Sequence, residues 1–519
     1  MKRKIVSLML VSAMVFGLTA CSGGGDSEGG NSGGGGEGEE PYNIVMQVPT
    51  WGQEYSGLAD VEAAINAIIE PEINATVTLE PIAAWDIPNT STLQITSGEK
   101  LDLLCIESMG SNMDSISNYV NVNGLTELND IYDEYGKDIQ SCLGNLIDIG
   151  YMGETLYAVP ANYYAGGGYC FAAITSELEA LGFSFDENQI YTLEDVEEVL
   201  AAYQESKGSG YYAIAGFADG PLVTNLVPTD DLGDPAIGSL MNGGLDNTTV
   251  VNRFATDEYR EAYERIRGWN QAGYINPDVI SITDTWPTLL ASGQYLGAFM
   301  YVQSNGLEGI PQNEKTVGQD LTVIRFFPDY ATTTKAAYAL WAIPVTSENP
   351  EKVMEFLNIL YQDRELSENV SWLLSAGIEG ESYEIVETLD DGRIIIDYPE
   401  GLDAATVPYT GSGPIYGDAL SAPKYVPVDA EMFDEIVAYN DTSIEYSKAF
   451  GYTFDSSEYS NQISAINNVI ETYGAQLGFG MVDVDTVLPQ FISELEAAGI
   501  NDVIAANQEQ LDAWLAAQE

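Results

Sequence analysis

Histidine does not occur anywhere in this chain of 519 residues. Its absence removes Ser-His-Asp and Cys-His catalysis, and every metal site that needs imidazole. A catalyst would have to be built on carboxylates, Lys, Tyr or Cys, so the composition favours binding over chemistry. Positive charge is scarce as well: 18 Lys and Arg stand against 80 Asp and Glu, a formal net charge of −62. Phosphate backbones are held by Lys and Arg and repelled by such a surface, so nucleic acid is set aside as a partner. The acid itself reads as solubility and colloidal repulsion. Cysteine is sparse, at Cys21, Cys105, Cys142 and Cys170. None forms a C-x-x-C pair, so zinc and thioredoxin-like motifs are unsupported. If Cys21 is modified, at most one disulfide can join two of the other three, and Cys105, inside LDLLCI, reads as a buried, inert thiol. No apolar run in the chain is long enough to span a bilayer.

What the N-terminus does contain is ordered like a leader. Lys2, Arg3 and Lys4 precede an apolar stretch, Ile5 to Leu18, of about 14 residues, the length of a signal h-region and too short for a spanning helix. LTAC, Leu18 to Cys21, then matches the bacterial lipobox. The match implies a lipidated Cys21 as the mature first residue; the alternative is a general secretory signal with an incidental cysteine. SGGGDSEGGNSGGGGEGEEP follows, nearly all Gly, Ser and acid, and too polar to build a core. Residues 21–41 are expected to be a flexible tether of about 20 residues, with a mean reach on the order of 25 Å.

The length of the body allows two or three domains. PYNIVMQVP predicts a strand with Ile44, Met46 and Val48 on one face. Asp60 is a candidate N-cap for a helix carrying Val61, Ile65, Ile68 and Ile69. NATVTLEPI predicts a second strand, and LDLLCI a third that ends at Glu107 and Ser108. Alternating strands and helices build a mostly parallel sheet, and ligands sit outside the carboxyl ends of its strands. Those ends are Trp51 to Glu54 and Glu107-Ser108. SENPEKVMEFLNILYQD predicts a helix capped by Asn349, with Pro350 in its first turn. LPQFISELEAAG predicts another, ended by Gly499.

GETLYAVPANYYAGGGYCFAAITSELEALG, GYINPDVI with LLASGQYLGAFM, and ALWAIPVTSENPEKVMEFLNILYQDREL together resemble the family 1 extracellular solute-binding lipoproteins of ABC transporters. The resemblance covers nearly the whole mature chain. SAGIEGESYEIV, DGRIIIDYPEG and the tail from about Ser447 resemble the LipO-like subgroup with its C-terminal domain. The resemblance implies an α/β, two-lobe, periplasmic-binding-protein-like (type II) fold with hinge-linked lobes. Mapped onto this chain, residues 1–20 are the signal peptide, 42–158 and 321–363 lobe one, 159–320 and 364–446 lobe two, and 447–519 a largely helical C-terminal region. It also implies a monomer that holds a small-molecule solute in the cleft, closes by hinge bending and docks to permease subunits, tethered by lipid to the outer membrane face. No enzyme activity, cofactor or metal is expected.

Sugars present a C–H face to aromatic rings and hydroxyls to carboxylates and amides. The candidates are Trp51 and Glu107 at the strand ends of lobe one, and Tyr163 and Tyr164 after the crossing. Trp286 and Tyr301 flank the SGQYLGAFM turn, and Trp341 lies in the return strand. For each aromatic the competing reading is packing, and Glu107 is either a hydroxyl acceptor or an exposed loop acid. Trp372 and Trp514 read as core. AGGGY (Ala165 to Tyr169) lacks phosphate-loop spacing and reads as backbone freedom near the hinge. Asp230, Asp231 and Asp234 lack EF-hand spacing and read as a solvated acidic loop. The favoured ligand is a carbohydrate, an oligosaccharide; a peptide or other small organic solute is the alternative. A two-carboxylate glycoside hydrolase is a third reading, with no carboxylate pair singled out by position.

Overall fold

The computed structural model describes residues 40–518 except 53, 110–111, 187, 217–219, 304–305, 307, 412 and 442–443. The leader, Cys21 and all but the end of the tether lie outside the described residues. Strand β1 (Tyr42–Thr50) buries Ile44, Met46 and Val48, the face its alternation predicts. Helix α1 (Leu58–Ile73) buries Val61, Ile65 and Ile69. It starts earlier than expected, with Gly57 in the cap position. Asp60 lies in its first turn, where the carboxylate meets the positive end of the helix instead of capping it. Strand β2 (Ala75–Ala83) runs parallel to β1, from Tyr42↔Ala75 to Thr50↔Ala83. After α2 (Ile87–Ser97) comes β3 (Leu104–Met109), joined to β1 by a parallel Met46–Leu103 bridge. The short strand β4 (Ala158–Pro160) completes this first pass.

The chain then crosses, through residues 161–165, into a second sheet. Its central strand is β5 (Gly166–Ile174), buried along its whole length. Around it are β6 (Tyr212–Ile214), α3 (Asp257–Gln271), α4 (Trp286–Ala291), β7 (Tyr295–Val302), α5 (Gly309–Val317) and β8 (Leu321–Ala331). Strands β7 and β8 flank β5 in antiparallel fashion, and β6 adds to β7 in parallel. Residues 332–338 return to the first sheet, where β9 (Ala339–Ala342) lies antiparallel between β3 and β4. Helix α6 (Pro350–Ile359) follows; as predicted, the Asn349 side chain caps it, accepting from the Lys352 amide at 3.1 Å. A third passage, through Tyr439–Asp441, leads to β10 (Glu445–Tyr446), paired with β8. The C-terminal stretch is three helices, α7 (Ser460–Gly478), α8 (Val484–Ala498) and α9 (Ile500–Gln518). Gly499 ends α8 in the left-handed conformation, at φ 101°.

The sheet orders are therefore β2-β1-β3-β9-β4 and β10-β8-β5-β7-β6. Both are mixed, not mostly parallel. The division of the chain between them departs from the mapped boundaries in two places. Residues 321–331, assigned to lobe one, form β8 and pair with β5 from Leu321↔Ile174 to Ala331↔Gly166, inside the second sheet. Residues 364–446, assigned to lobe two, pack largely on the first. Val370, Leu374, Tyr409, Ile415 and Tyr416 share a core with Trp341 and Phe356, and Ile395, Leu420 and Phe433 share one with Leu104 and Ile106. Apolar alternation marks a strand but not the sheet it joins, which non-local pairing decides. The C-terminal helices complete the second lobe, since Ile466, Leu477, Phe491 and Leu511 share a core with Phe171 and Leu296.

The three glycines after Ala165 serve close packing, not backbone freedom. They lie in β5, and a Cβ on Gly166 would sit 2.3 Å from the Tyr330 carbonyl oxygen; one on Gly167 would sit 2.2 Å from that of Val302. The acidic loop is also not solvated. Asp230 is buried, accepts from the Leu232 amide, and has its carboxyl pushed up to about 6 by burial. Asp231 pairs with Arg253, and Asp234 accepts from the Ala236 amide at 2.8 Å. Among the described residues no group of three acids or cysteines is placed to hold a metal ion. Cys105, Cys142 and Cys170 are free thiols, and burial raises that of Cys105 well above its usual range.

Candidate ligand-binding site

The pairing Ala339↔Glu107 sets the end of β3 beside the start of β9, where the chain re-enters the first lobe. The pairing Leu340↔Pro160 sets the exit from β4 there as well. Since β1, β2 and β3 run parallel, their carboxyl ends share this hinge edge. The crossing segments are tied together across it. Asn440 accepts from the Ala165 amide at 2.9 Å and donates to the Tyr163 carbonyl at 2.8 Å. The Tyr439 hydroxyl lies 2.6 Å from an oxygen of Asp329.

A cavity of about 470 Å³ opens next to the first crossing. It brings together four of the sequence-derived candidates: Tyr163, Tyr164, Trp286 and Tyr301. The elements explain the convergence. Trp286 is the first residue of α4, with Pro287 setting the turn; Tyr301 lies near the carboxyl end of β7; the two tyrosines leave the first sheet at the crossing. The rings of Tyr163 and Tyr164 are 4.4 Å apart, and Tyr163 also lies 4.9 Å from Tyr338 of the return crossing. Polar groups stand among the rings: Thr224, Asn225, Gln303, Glu308 and Asn313. Glu308 accepts from the Tyr164 hydroxyl at 2.9 Å and faces the buried Lys424 ammonium at 3.3 Å.

Beside Tyr301, Lys335 of the return crossing places its ammonium 3.6 Å from the centre of that ring and donates to the Tyr169 hydroxyl at 3.3 Å. It forms no ion pair with a carboxylate among the described residues. The Tyr301 hydroxyl is buried and, among the described residues, has no hydrogen-bond partner. Glu308, Lys424 and Lys335 are absent from the candidates that sequence pattern marks. Only Glu308 has a local signal, an acid flanked by glycines just past a strand.

The other three candidates lie elsewhere. Trp341 is wholly buried in the first lobe, donating from its indole nitrogen to the Ile415 carbonyl at 2.6 Å and stacking 5.5 Å from Tyr416. It is a core residue and touches no cleft, because β9 is covered on both faces. Glu107 is not an exposed loop acid: it is 2% exposed, and its Oε2 has no partner among the described residues. Burial, and then the charge of Asp114, push its carboxyl up to about 8. Trp51 stands just past β1, 38% exposed, outside this cavity. Of the two tryptophans read as core, Trp372 and Trp514 are both half-buried against apolar neighbours.

Two lobes, each with its own mixed sheet, linked by three crossings beside an aromatic cavity, define the two-lobe solute-binding fold. Comparison with known proteins agrees. The family model described as "Domain of unknown function (DUF3502)" matches residues 448–516, the three C-terminal helices. A carbohydrate ABC transporter substrate-binding protein of Streptococcus pneumoniae serotype 4 (strain ATCC BAA-334 / TIGR4) is 24% identical over 527 residues, covering 97% of this chain and 96% of that one. The crystal structure of the N-glycan transport solute binding protein (NgtS) from Streptococcus pneumoniae superposes with a TM-score of 0.75 at 21% identity, covering 92% of this chain and 100% of that one. Its complexes with Man1GlcNAc and Man5GlcNAc give 0.71 and 0.66, at 20% and 21% identity, covering 91% and 92% of this chain and 99% of each. The expected fold class thus stands. No helix among the described residues is long and apolar enough to cross a membrane.

Proposed function

We propose that this protein is the substrate-binding component of an ABC importer, that it captures an oligosaccharide between its lobes, and that lipid on Cys21 anchors it at the outer membrane face. The observation that carries the reading is the cavity at the hinge edge, where Tyr163, Tyr164, Trp286 and Tyr301 supply flat apolar faces. Glu308, Asn225 and Asn313 supply acceptors and donors among them. This is the surface a sugar ring needs on its two chemically different sides. The relative named for carbohydrate transport and the NgtS complexes support the same ligand class. Ligand held by Trp286 and Tyr301 on one lobe would be met by the other as the three crossings bend, and the closed form would dock to permease subunits. The protein acts in this reading as a monomeric receptor, not as a catalyst.

Calorimetry against Man1GlcNAc, Man5GlcNAc, unrelated oligosaccharides and peptides tests the ligand class. Binding of a glycan, weakened about tenfold or more in Trp286→Ala, is the expected outcome. Binding of peptides and of no sugar would overturn the carbohydrate reading. The anchor is tested by Cys21→Ser, which is expected to release the protein from membranes into the medium.

A further inference from the structure

One polar wall of the cavity is a short turn, and that turn leans on the far end of the chain. Thr224 and Asn225, which line the cavity together with Gly220, belong to a 3-10 turn, Leu222–Asn225. Its other side is buried: Leu222 and Val223 share a core with Ile466 and Leu477 of α7 and Phe491 of α8. The tightest point comes just before the turn. A Cβ on Gly478, the last residue of α7, would stand 2.1 Å from the Cβ of Pro221 and 3.2 Å from its Cα. A proline Cβ is fixed in a ring closed on the backbone and cannot swing aside, so with any side chain at 478 one of the two segments has to move. Gly478 does not have the left-handed backbone that by itself calls for glycine. The lack of space at Pro221 is what requires it.

Hydrogen bonds carry the position of Pro221 into the cavity. Its carbonyl accepts from the Thr224 amide at 3.2 Å and from the Thr224 hydroxyl at 2.8 Å. Asn225 in turn donates to the Phe299 carbonyl of β7 at 3.3 Å, two residues before Tyr301. The joint between α7 and α8 is itself held against α3. Arg267 donates to the Gly480 carbonyl at 2.7 Å, and the Asn270 side chain to that of Phe479 at 3.0 Å. A Cβ on Gly480 would stand 2.5 Å from the Ile266 carbonyl oxygen, so this joint has no slack. We propose that the C-terminal helices position the cavity wall: residues 478–480 are the stop against which Pro221 rests, and Gly478 is a positioning residue that sets where Thr224 and Asn225 stand. This gives the region matched by the DUF3502 model, residues 448–516, a task beyond completing the core of the second lobe. The inference rests on the reading of the cavity given above and deepens it, because the wall carries polar groups for the hydroxyls of the ligand.

Two measurements on the full chain test this, amide hydrogen exchange without ligand and titration with Man1GlcNAc and Man5GlcNAc. Gly478→Ala is compared with Gly474→Ala, on the same helix with nothing within 4 Å of its would-be Cβ. Gly478→Ala is expected to speed exchange of the Thr224, Leu226 and Val227 amides, which close the turn, about tenfold or more while β5 is unchanged. It should weaken glycan binding about 5- to 20-fold. Gly474→Ala should alter neither. Pro221→Gly removes the Cβ that stands in the way, so the Gly478→Ala/Pro221→Gly pair should bind at least about threefold more tightly than Gly478→Ala alone. General destabilisation would show no such rescue. Arg267→Ala, which loosens the joint without adding bulk, should give the same pattern to a smaller degree, and it carries the test if Gly478→Ala does not fold. Wild-type exchange and affinity in Gly478→Ala, or a lower melting temperature with unchanged affinity, overturns the positioning role and leaves the carbohydrate reading in place. Failure of the wild type to bind either glycan removes that reading, and exchange in residues 222–227 then decides the positioning role by itself.

Discussion

Glu107 shows what burial does to a single residue in this very acidic chain. Its folded carboxyl is raised to about 8, against an ordinary value of 4.5, so the folded protein holds a proton that the unfolded chain releases. That contribution to stability is fully present below about pH 4.5 and is lost as the pH rises through 8. Glu107→Gln stays neutral throughout. Urea denaturation at pH 5 and pH 8 should therefore show wild type losing on the order of 2–4 kcal/mol more than the variant. Parallel losses would mean that Glu107 ionises freely in the fold. Trp341 makes the contrasting case: Trp341→Ala opens a cavity in the first lobe and should cost about 3–5 kcal/mol in the same assay. Its folded fraction should bind ligand as wild type does, since the side chain is buried in the core of the first lobe and does not line the cavity.

At the scale of elements, β5 shows how glycine can be a packing residue. The Val302 carbonyl oxygen stands 2.2 Å from where a Gly167 side chain would begin, and backbone cannot yield as a side-chain tip can. Gly167→Ala should destabilise the second lobe by about 1–3 kcal/mol, read as a lower melting temperature. Gly268, inside α3 with nothing within 4 Å of its would-be Cβ, should behave in the opposite way. Gly268→Ala is expected to stabilise by up to about 1 kcal/mol through helix propensity alone. Strands and helices are largely legible from local pattern: the buried face of β1, the Asn349 cap and the Gly499 stop all follow from residues within a few positions of one another. AGGGY is not, because the steric reason for its glycines lies in the neighbouring strands and leaves no trace in the stretch itself.

At the scale of the whole molecule, charge dominates. A formal net charge of −62 on one chain makes the compact state repel itself, with few cations to offset it. Screening should relieve this, so raising salt from about 20 mM to about 0.5 M is expected to raise the melting temperature by several degrees. A flat or falling response would mean that the ion pairs, such as Arg265 with Glu194 and Arg364 with Glu72, outweigh the repulsion. Two of the cations stand beside the cavity, Lys335 against the Tyr301 ring and Lys424 against Glu308.

Sequence alone determined the lack of imidazole chemistry, the acidic surface, the local elements and the aromatic candidates at strand ends. Four of those candidates, Tyr163, Tyr164, Trp286 and Tyr301, converge on one cavity because a strand end or a crossing is a position that local pattern marks. Tertiary structure decided which sheet each strand joined and which aromatic was buried. Residues 321–331 map to the first lobe by resemblance, yet pairing with β5, some 150 residues earlier in the chain, places them in the second. Trp341 and Trp51 looked alike as tryptophans in or just after a strand. One sits in a strand covered on both faces and the other stands beyond the end of one, because burial is set by what packs over a residue and not by the residue itself.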